Sequence, residues 1–169
     1  MSNTSANAGS AVPSAIIDAV KASIDRTQSA FFSETPTLVA GEQPHDGPCI
    51  AGIVSFLGEM PWSLTWVLSN ETAPTVAKKF AGFDIPFESA DMGDMVGELV
   101  NVIAGEIVAQ LEQRKIKSQM SLPTVARGPL ELLPVDGPSV IKLEYTSKEG
   151  PFWFRMASAK GHAVRIPGR

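Results

Sequence analysis

Residues 89–114 read SADMGDMVGELVNVIAGEIVAQLEQR, and this stretch decides the fold class. Its apolar side chains recur at steps of three and four residues, which is the period of an amphipathic helix. On a helix that turns about 100° per residue, they fill an arc of roughly 200°. The members of this apolar arc are Met92, Met95, Val96, Leu99, Val100, Val102, Ile103, Ala104, Ile107 and Leu111. The pattern predicts one long helix from about Ser89 to Arg114, with this arc turned towards a core.

The remaining side of the predicted helix carries a narrow polar stripe. Its members are Asp91, Asp94, Glu98, Asn101, Gly105 and Glu112, with Gly93 and Gly97 on its flank. An ordinary solvated face is one interpretation, because acidic residues near a helix start are favoured by the helix dipole. Against it, each glycine costs about 1 kcal/mol relative to alanine in a helix, and the stripe has no lysine or arginine for stabilising ion pairs. The alternative is that another molecule approaches this face closely.

The rest of the chain alternates between helical and extended patterns. Before the long helix we predict a helix over 14–32, a short strand over 37–40, a strand over 49–57 covered on both faces, a half-buried strand over 62–68, and a helix over 72–80 that Thr72 caps and Gly82 ends. After it we predict an edge strand over 120–126, because Pro123 cannot donate to a ladder, and a hairpin over 140–156. Short turns between sequential strands indicate antiparallel pairing. The predicted fold class is therefore α+β, an antiparallel sheet with a long helix pair packed on it.

The 169 residues fit a single domain, which we place at 13–158, after a disordered N-terminus over 1–12 and before a flexible tail over 159–169. The net charge of −4 argues against nucleic-acid binding, which needs a dense basic surface. A single cysteine, Cys49, excludes an internal disulfide. No histidine-built metal centre is expected, because His45 and His162 lie far apart in the sequence.

The apolar stretch over 49–70 is too short on either side of its interruption to span a membrane. Gly58, Glu59 and Pro61 break it into halves of fewer than about ten residues, whereas a spanning helix needs about 20. The N-terminus also lacks the basic and apolar regions of a signal peptide. We therefore expect no membrane association and a cytoplasmic location.

The stripe also carries a family resemblance. Residues 94–105, DMVGELVNVIAG, resemble the D-x-x-x-E-x-x-N signature helix of the CheC/CheX/FliY response-regulator phosphatases. Residues 120–128, MSLPTVARG, resemble the S-x-P-x-[VI]-x-x-G segment that follows this helix in CheX, and residues 150–154, GPFWF, its last strand. The single E-x-x-N copy is similar to CheX, which is a homodimer, whereas CheC-type members usually carry two. The sequence GEMPW at 58–62 departs from the glycines that family members often have in the first hairpin.

The resemblance implies hydrolysis of the aspartyl phosphate on a phosphorylated response regulator such as CheY. By this resemblance Asn101 orients the attacking water, Glu98 pairs with the partner's active-site lysine, and Asp94, Gly97 and Gly105 contact the partner. The chemistry suits the side chains, because a neutral carboxamide accepts a hydrogen bond from water without repelling the phosphoryl oxygens. No cofactor on this chain is implied, since the Mg²⁺ would come from the partner's receiver site.

Other interpretations stay open beside this one. A non-catalytic module on the same fold would bind a receiver, a kinase or a flagellar switch component. Asp91, Asp94 and Glu98 could form a magnesium site, although a bare helix face seldom closes one. Cys49 as a nucleophile is disfavoured, because no basic neighbour would lower the pKa of its thiol.

Overall fold

A computed structural model describes residues 12–40, 46–129 and 140–158. Within these ranges three helices pack on one face of a seven-stranded sheet, which confirms the predicted α+β class. The helices are α1 (Ser14–Phe32), α2 (Thr72–Ala81) and α3 (Ala90–Gln113). The strands are β1 (Thr37–Val39), β2 (Pro48–Gly58), β3 (Trp62–Ser69), β4 (Ser118–Met120), β5 (Thr124–Pro129), β6 (Val140–Ser147) and β7 (Gly150–Ser158).

Every strand pairing in the described sheet is antiparallel, as predicted. The order is β1-β6-β7-β3-β2-β4, and β5 pairs with the same edge of β2 as β4. The predicted strand over 120–126 is thus two edge segments, separated by residues 121–123. Pro123 lies in the interruption, because a residue without an N–H group cannot continue the ladder. The Ser121 backbone N–H donates to the Ser55 carbonyl at 2.8 Å and holds the interruption against β2.

The core lies between the helices and the face of the sheet that presents the even-numbered residues of β2. All of the predicted apolar arc of α3 is buried except Val102, which is half-buried. α1 packs against α3, and α3 packs against β2, so the two long helices form the predicted pair. Trp62 and Trp66 of β3 are both buried in this core, and the Trp62 ring stacks on Phe56 at a centroid distance of 4.1 Å.

The prediction that β2 is covered on both faces is wrong for its second half. Ala51 is buried in a smaller cluster with Cys49, Val67 and Trp153 on the face away from the helices. Leu57, one residue before β2 ends at Gly58, is 58% exposed, and Ser55 is also exposed. The alternating pattern predicts the same burial for Ala51 and Leu57. Their actual burial depends on whether other residues pack against that part of the face.

The cap predicted for α2 is also wrong. Glu71 is the N-terminal flanking residue, and Thr72 is already helical. The hydroxyl of Ser69 accepts the Thr72 N–H at 3.1 Å, while the Thr72 hydroxyl donates to the Pro151 carbonyl at 2.9 Å. Gly82 does end the helix, as predicted, in a left-handed conformation with φ 84°.

Some predictions fall on residues outside the described ranges. These are the disordered N-terminus over 1–11, the tail over 159–169, and His45. Val12, the last residue of the predicted disordered segment, is described and lies in the core at 2% exposure. None of the helices in the described ranges combines the length and apolar character that a membrane span requires.

Candidate functional site

The N-terminus of α3 is held by a side-chain cap and by an arginine from β5. The Ser89 hydroxyl accepts a hydrogen bond from the Met92 N–H at 3.2 Å, as expected of an N-cap serine. The Arg127 guanidinium donates to the carbonyls of Glu88 at 3.0 Å and Ser89 at 2.7 Å. It also lies 5.6 Å from the Phe87 ring centroid. These contacts fix where the long helix begins.

The middle of α3 lies unusually close to β2. A Cβ atom added to Gly52 would lie 2.7 Å from Cγ1 of Val100 and 2.9 Å from its Cβ. A side chain at position 52 would therefore push the helix away from the sheet. Asn101 follows Val100 directly, so this close approach sets how far the predicted catalytic amide stands from the sheet.

The polar stripe points away from the core, as predicted. Asp91, Asp94, Glu98, Gly105 and Glu112 are exposed, and Asn101 is half-buried. Taking Asp94 as the origin, Glu98 lies about 40° to one side around the helix axis and Asn101 about 20° to the other. The rise between Glu98 and Asn101 is about 4.5 Å, close to one helical turn. Both side chains therefore leave the helix on the same side, one turn apart.

Two neighbouring elements border the stripe. On one side is β5, where a Cβ atom on Gly97 would lie 3.5 Å from Val125 Cγ2, and one on Gly93 would lie 4.0 Å from Arg127 Nη2. On the other side is α1, whose Arg26 Nε lies 3.2 Å from Glu106 Oε1 of α3. A Cβ atom on Gly105 would meet nothing within 4 Å. The stripe is therefore an open strip of helix surface between α1 and β5.

Glu98 and Asn101 are not used by the fold itself. In the described part of the chain, neither side chain makes a hydrogen bond or an ion pair. Nearby Glu106, by contrast, is held both by Arg26 and by the Gln110 amide at 3.1 Å. A carboxylate and a carboxamide left without partners on an exposed helix face are available to a second molecule.

The other candidate sites are the Cys49 thiol and the carboxylates proposed as magnesium ligands. Cys49 is 3% exposed on β2, and burial raises the pKa of its thiol, so it lacks the character of a nucleophile. Among the residues with described positions, no three His, Cys, Asp or Glu side chains lie together as a set of metal ligands. Asp91, Asp94 and Glu98, which the sequence suggests as magnesium ligands, therefore do not form such a set.

Sequence reasoning missed the residues that border and position the stripe. Gly52 appears in the sequence only as a glycine inside a strand, a signal of close backbone approach that does not name the partner. Val125 and Arg127 lie in the 120–128 segment that resembles CheX, but no local signal in the sequence places them beside α3. They reach it because β5 pairs with β2, the strand beneath the helix.

Comparison with protein families matches residues 50–141 to the family described as chemotaxis phosphatase CheX. This match covers more than half of the chain, including α3 and its stripe. The chain belongs to the CheX family. Comparison with curated proteins gives no match.

Solved structures of CheX relatives share the fold at low sequence identity. A CheC-like superfamily protein from Shewanella sp. PV-4 is 17% identical, with a TM-score of 0.74 over 87% of this chain and 99% of that one. Chemotaxis protein CheX from Vibrio vulnificus is 17% identical, with a TM-score of 0.71 over 85% and 98%. CheX in a CheX–CheY–BeF₃–Mg²⁺ complex from Borrelia burgdorferi is 19% identical, with a TM-score of 0.66 over 86% and 96%. These likenesses show the fold.

Proposed function

We propose that this CheX-family protein hydrolyses the aspartyl phosphate of a CheY-like response regulator. Asn101 orients the attacking water, and Glu98 pairs with a lysine in the partner's active site. Asp94, Gly97 and Gly105 form the surface that the partner covers. The observation that carries this proposal is the pair of unpartnered side chains, Glu98 and Asn101, one turn apart on an open helix face.

The proposed roles follow from what each side chain can do. In phosphoryl transfer the protein mainly positions groups and stabilises charge. The Asn101 carbonyl oxygen can accept a hydrogen bond from a water in line with the phosphorus, and the amide carries no charge to repel the phosphoryl oxygens. The Glu98 carboxylate attracts a lysine ammonium beside the phosphate and so sets the register of docking.

The proposal needs no cofactor on this chain. The partner's receiver site would hold the Mg²⁺ and the phosphorylated carboxylate, while this chain adds the oriented water. Support comes from the family, described as chemotaxis phosphatase, and from the Borrelia burgdorferi relative, whose structure is a complex with CheY, BeF₃ and Mg²⁺. We further propose that the protein is cytoplasmic and forms a homodimer. Light scattering of the purified chain tests the dimer.

The decisive experiment follows the lifetime of the phosphoryl group on receivers from the same genome. Asn101→Ala should slow the stimulated hydrolysis by about a hundredfold, because positioning one water is worth about 3 kcal/mol. Gln113→Ala is the matched control, since Gln113 is an exposed carboxamide at the end of the same helix. The mechanism is wrong if Asn101→Ala works as well as the parent.

The second candidate function is binding to a receiver, a kinase or a flagellar switch component without hydrolysis. The presence of both Glu98 and Asn101 favours the phosphatase, because a binding module would be free to lose the amide. Tight binding of phosphorylated receivers with an unchanged phosphate lifetime would select the binding module instead.

A further inference from the structure

A groove lies at the C-terminal end of α3, between this helix and the β4 edge of the sheet. Its volume is about 740 Å³, and its apolar lining beside α3 comes from Val108 and Ile116. Lys115 and Lys117 also line it. We call this region the α3–β4 groove.

The α3–β4 groove continues the polar stripe. At about 100° per residue, Val108 lies within about 20° of Asn101 around the helix axis, and Glu112 lies about 20° to the other side. The rise from Asn101 to Val108 is about 10 Å, or two turns. A molecule placed on Asn101 and extending along α3 towards its C-terminus therefore enters this groove.

The charge changes sign along this surface. Asp91, Asp94 and Glu98 make the N-terminal part negative, whereas the groove ends in two lysines. Glu112 stands between the two regions. In the ranges that the structure covers, neither Lys115 nor Lys117 is paired with a carboxylate. A partner that lies along the whole face must present cations at one end and anions at the other.

We propose that the receiver domain seated on Asn101 also occupies the α3–β4 groove. The part of its surface over the groove is apolar at the centre and acidic where it meets Lys115 and Lys117. About 18 Å separates Asn101 from the end of α3 at Gln113 along the helix axis. A domain of about 100 residues has a radius of gyration of about 13 Å, so one domain spans both regions. This inference rests on the proposed function, and it adds the direction in which the partner lies along α3.

The test compares two charge-reversal variants that change the net charge equally. K115E/K117E alters the groove, and K79E/K148E alters two exposed lysines on α2 and in the β6–β7 turn. The groove variant should raise the KM for phosphorylated receiver about tenfold, with kcat within about twofold of the parent, because charges at an interface rim act mainly on association. The increase should occur at about 0.1 M salt and shrink at about 1 M, where screening is nearly complete.

Equilibrium binding provides a readout that does not depend on hydrolysis. It is measured with phosphorylated receiver in the Asn101→Ala background, with the same charge variants. If the parent does not hasten phosphate loss, the proposed function fails, and weaker binding of K115E/K117E alone would still support the groove. Unchanged affinity of K115E/K117E, or an equal loss in K79E/K148E, would overturn the inference.

Discussion

Gly105 offers a sharp test of whether the polar stripe serves a partner. It lies inside α3, where glycine is about 1 kcal/mol less favourable than alanine. A Cβ atom at this position would meet nothing within 4 Å, so no contact inside the described molecule opposes it. Gly105→Ala should therefore stabilise the fold by about 1 kcal/mol.

The same substitution should impair function. Gly105 lies one turn after Asn101 on the same side of the helix, so its added methyl group would stand on the surface that the receiver covers. Overpacking a close-fitting contact costs about 1–3 kcal/mol. This corresponds to a KM for phosphorylated receiver raised by about fivefold to a hundredfold.

Two measurements on each protein decide the matter. With an m value of about 2 kcal/mol/M, the stabilised variant should unfold at about 0.5 M more urea than the parent. Gly93→Ala is the matched control, because it makes the same change on the flank of α3, where a Cβ atom would lie 4.0 Å from Arg127 Nη2. The control should keep the KM of the parent. A Gly105→Ala protein that is more stable and has an unchanged KM would refute the idea that a partner covers this glycine.

The remaining predictions concern the packing that positions the site. Gly52→Ala should destabilise the protein by about 1–3 kcal/mol, because the added methyl group would overpack against Val100. A double-mutant cycle with Val100→Ala, measured by urea unfolding, should show a coupling energy of at least about 0.5 kcal/mol. Additive effects of the two substitutions would contradict the close approach. Burial, with a smaller contribution from the Asp25 carboxylate, raises the pKa of Tyr145 above its ordinary value of 10.0. The unfolded chain then loses this proton more readily than the folded one, so stability should fall as pH rises above about 10. Tyr145→Phe should flatten that decline, and an equally steep decline in this variant would count against the assignment to Tyr145.

Helix boundaries were largely readable from the sequence because their signals are local. α3 was predicted from about Ser89 to Arg114 and runs from Ala90 to Gln113, with Ser89 as its cap. The 3.6-residue period by itself separates its core arc from its polar stripe. The exposed positions of Asp94 and Glu98 follow from that same period.

Coverage and contact between distant segments were decided only by the tertiary structure. Ala51 and Leu57 share one face of β2 and look alike in the alternating pattern, yet one is buried and the other is 58% exposed. Val125 and Arg127 border the stripe because β5 pairs with β2, the strand beneath α3. Position 52 requires a glycine because Val100 of α3 packs directly against it. The physical reason is that side-chain periodicity and capping act within a few residues, whereas burial depends on which surfaces the completed sheet brings together.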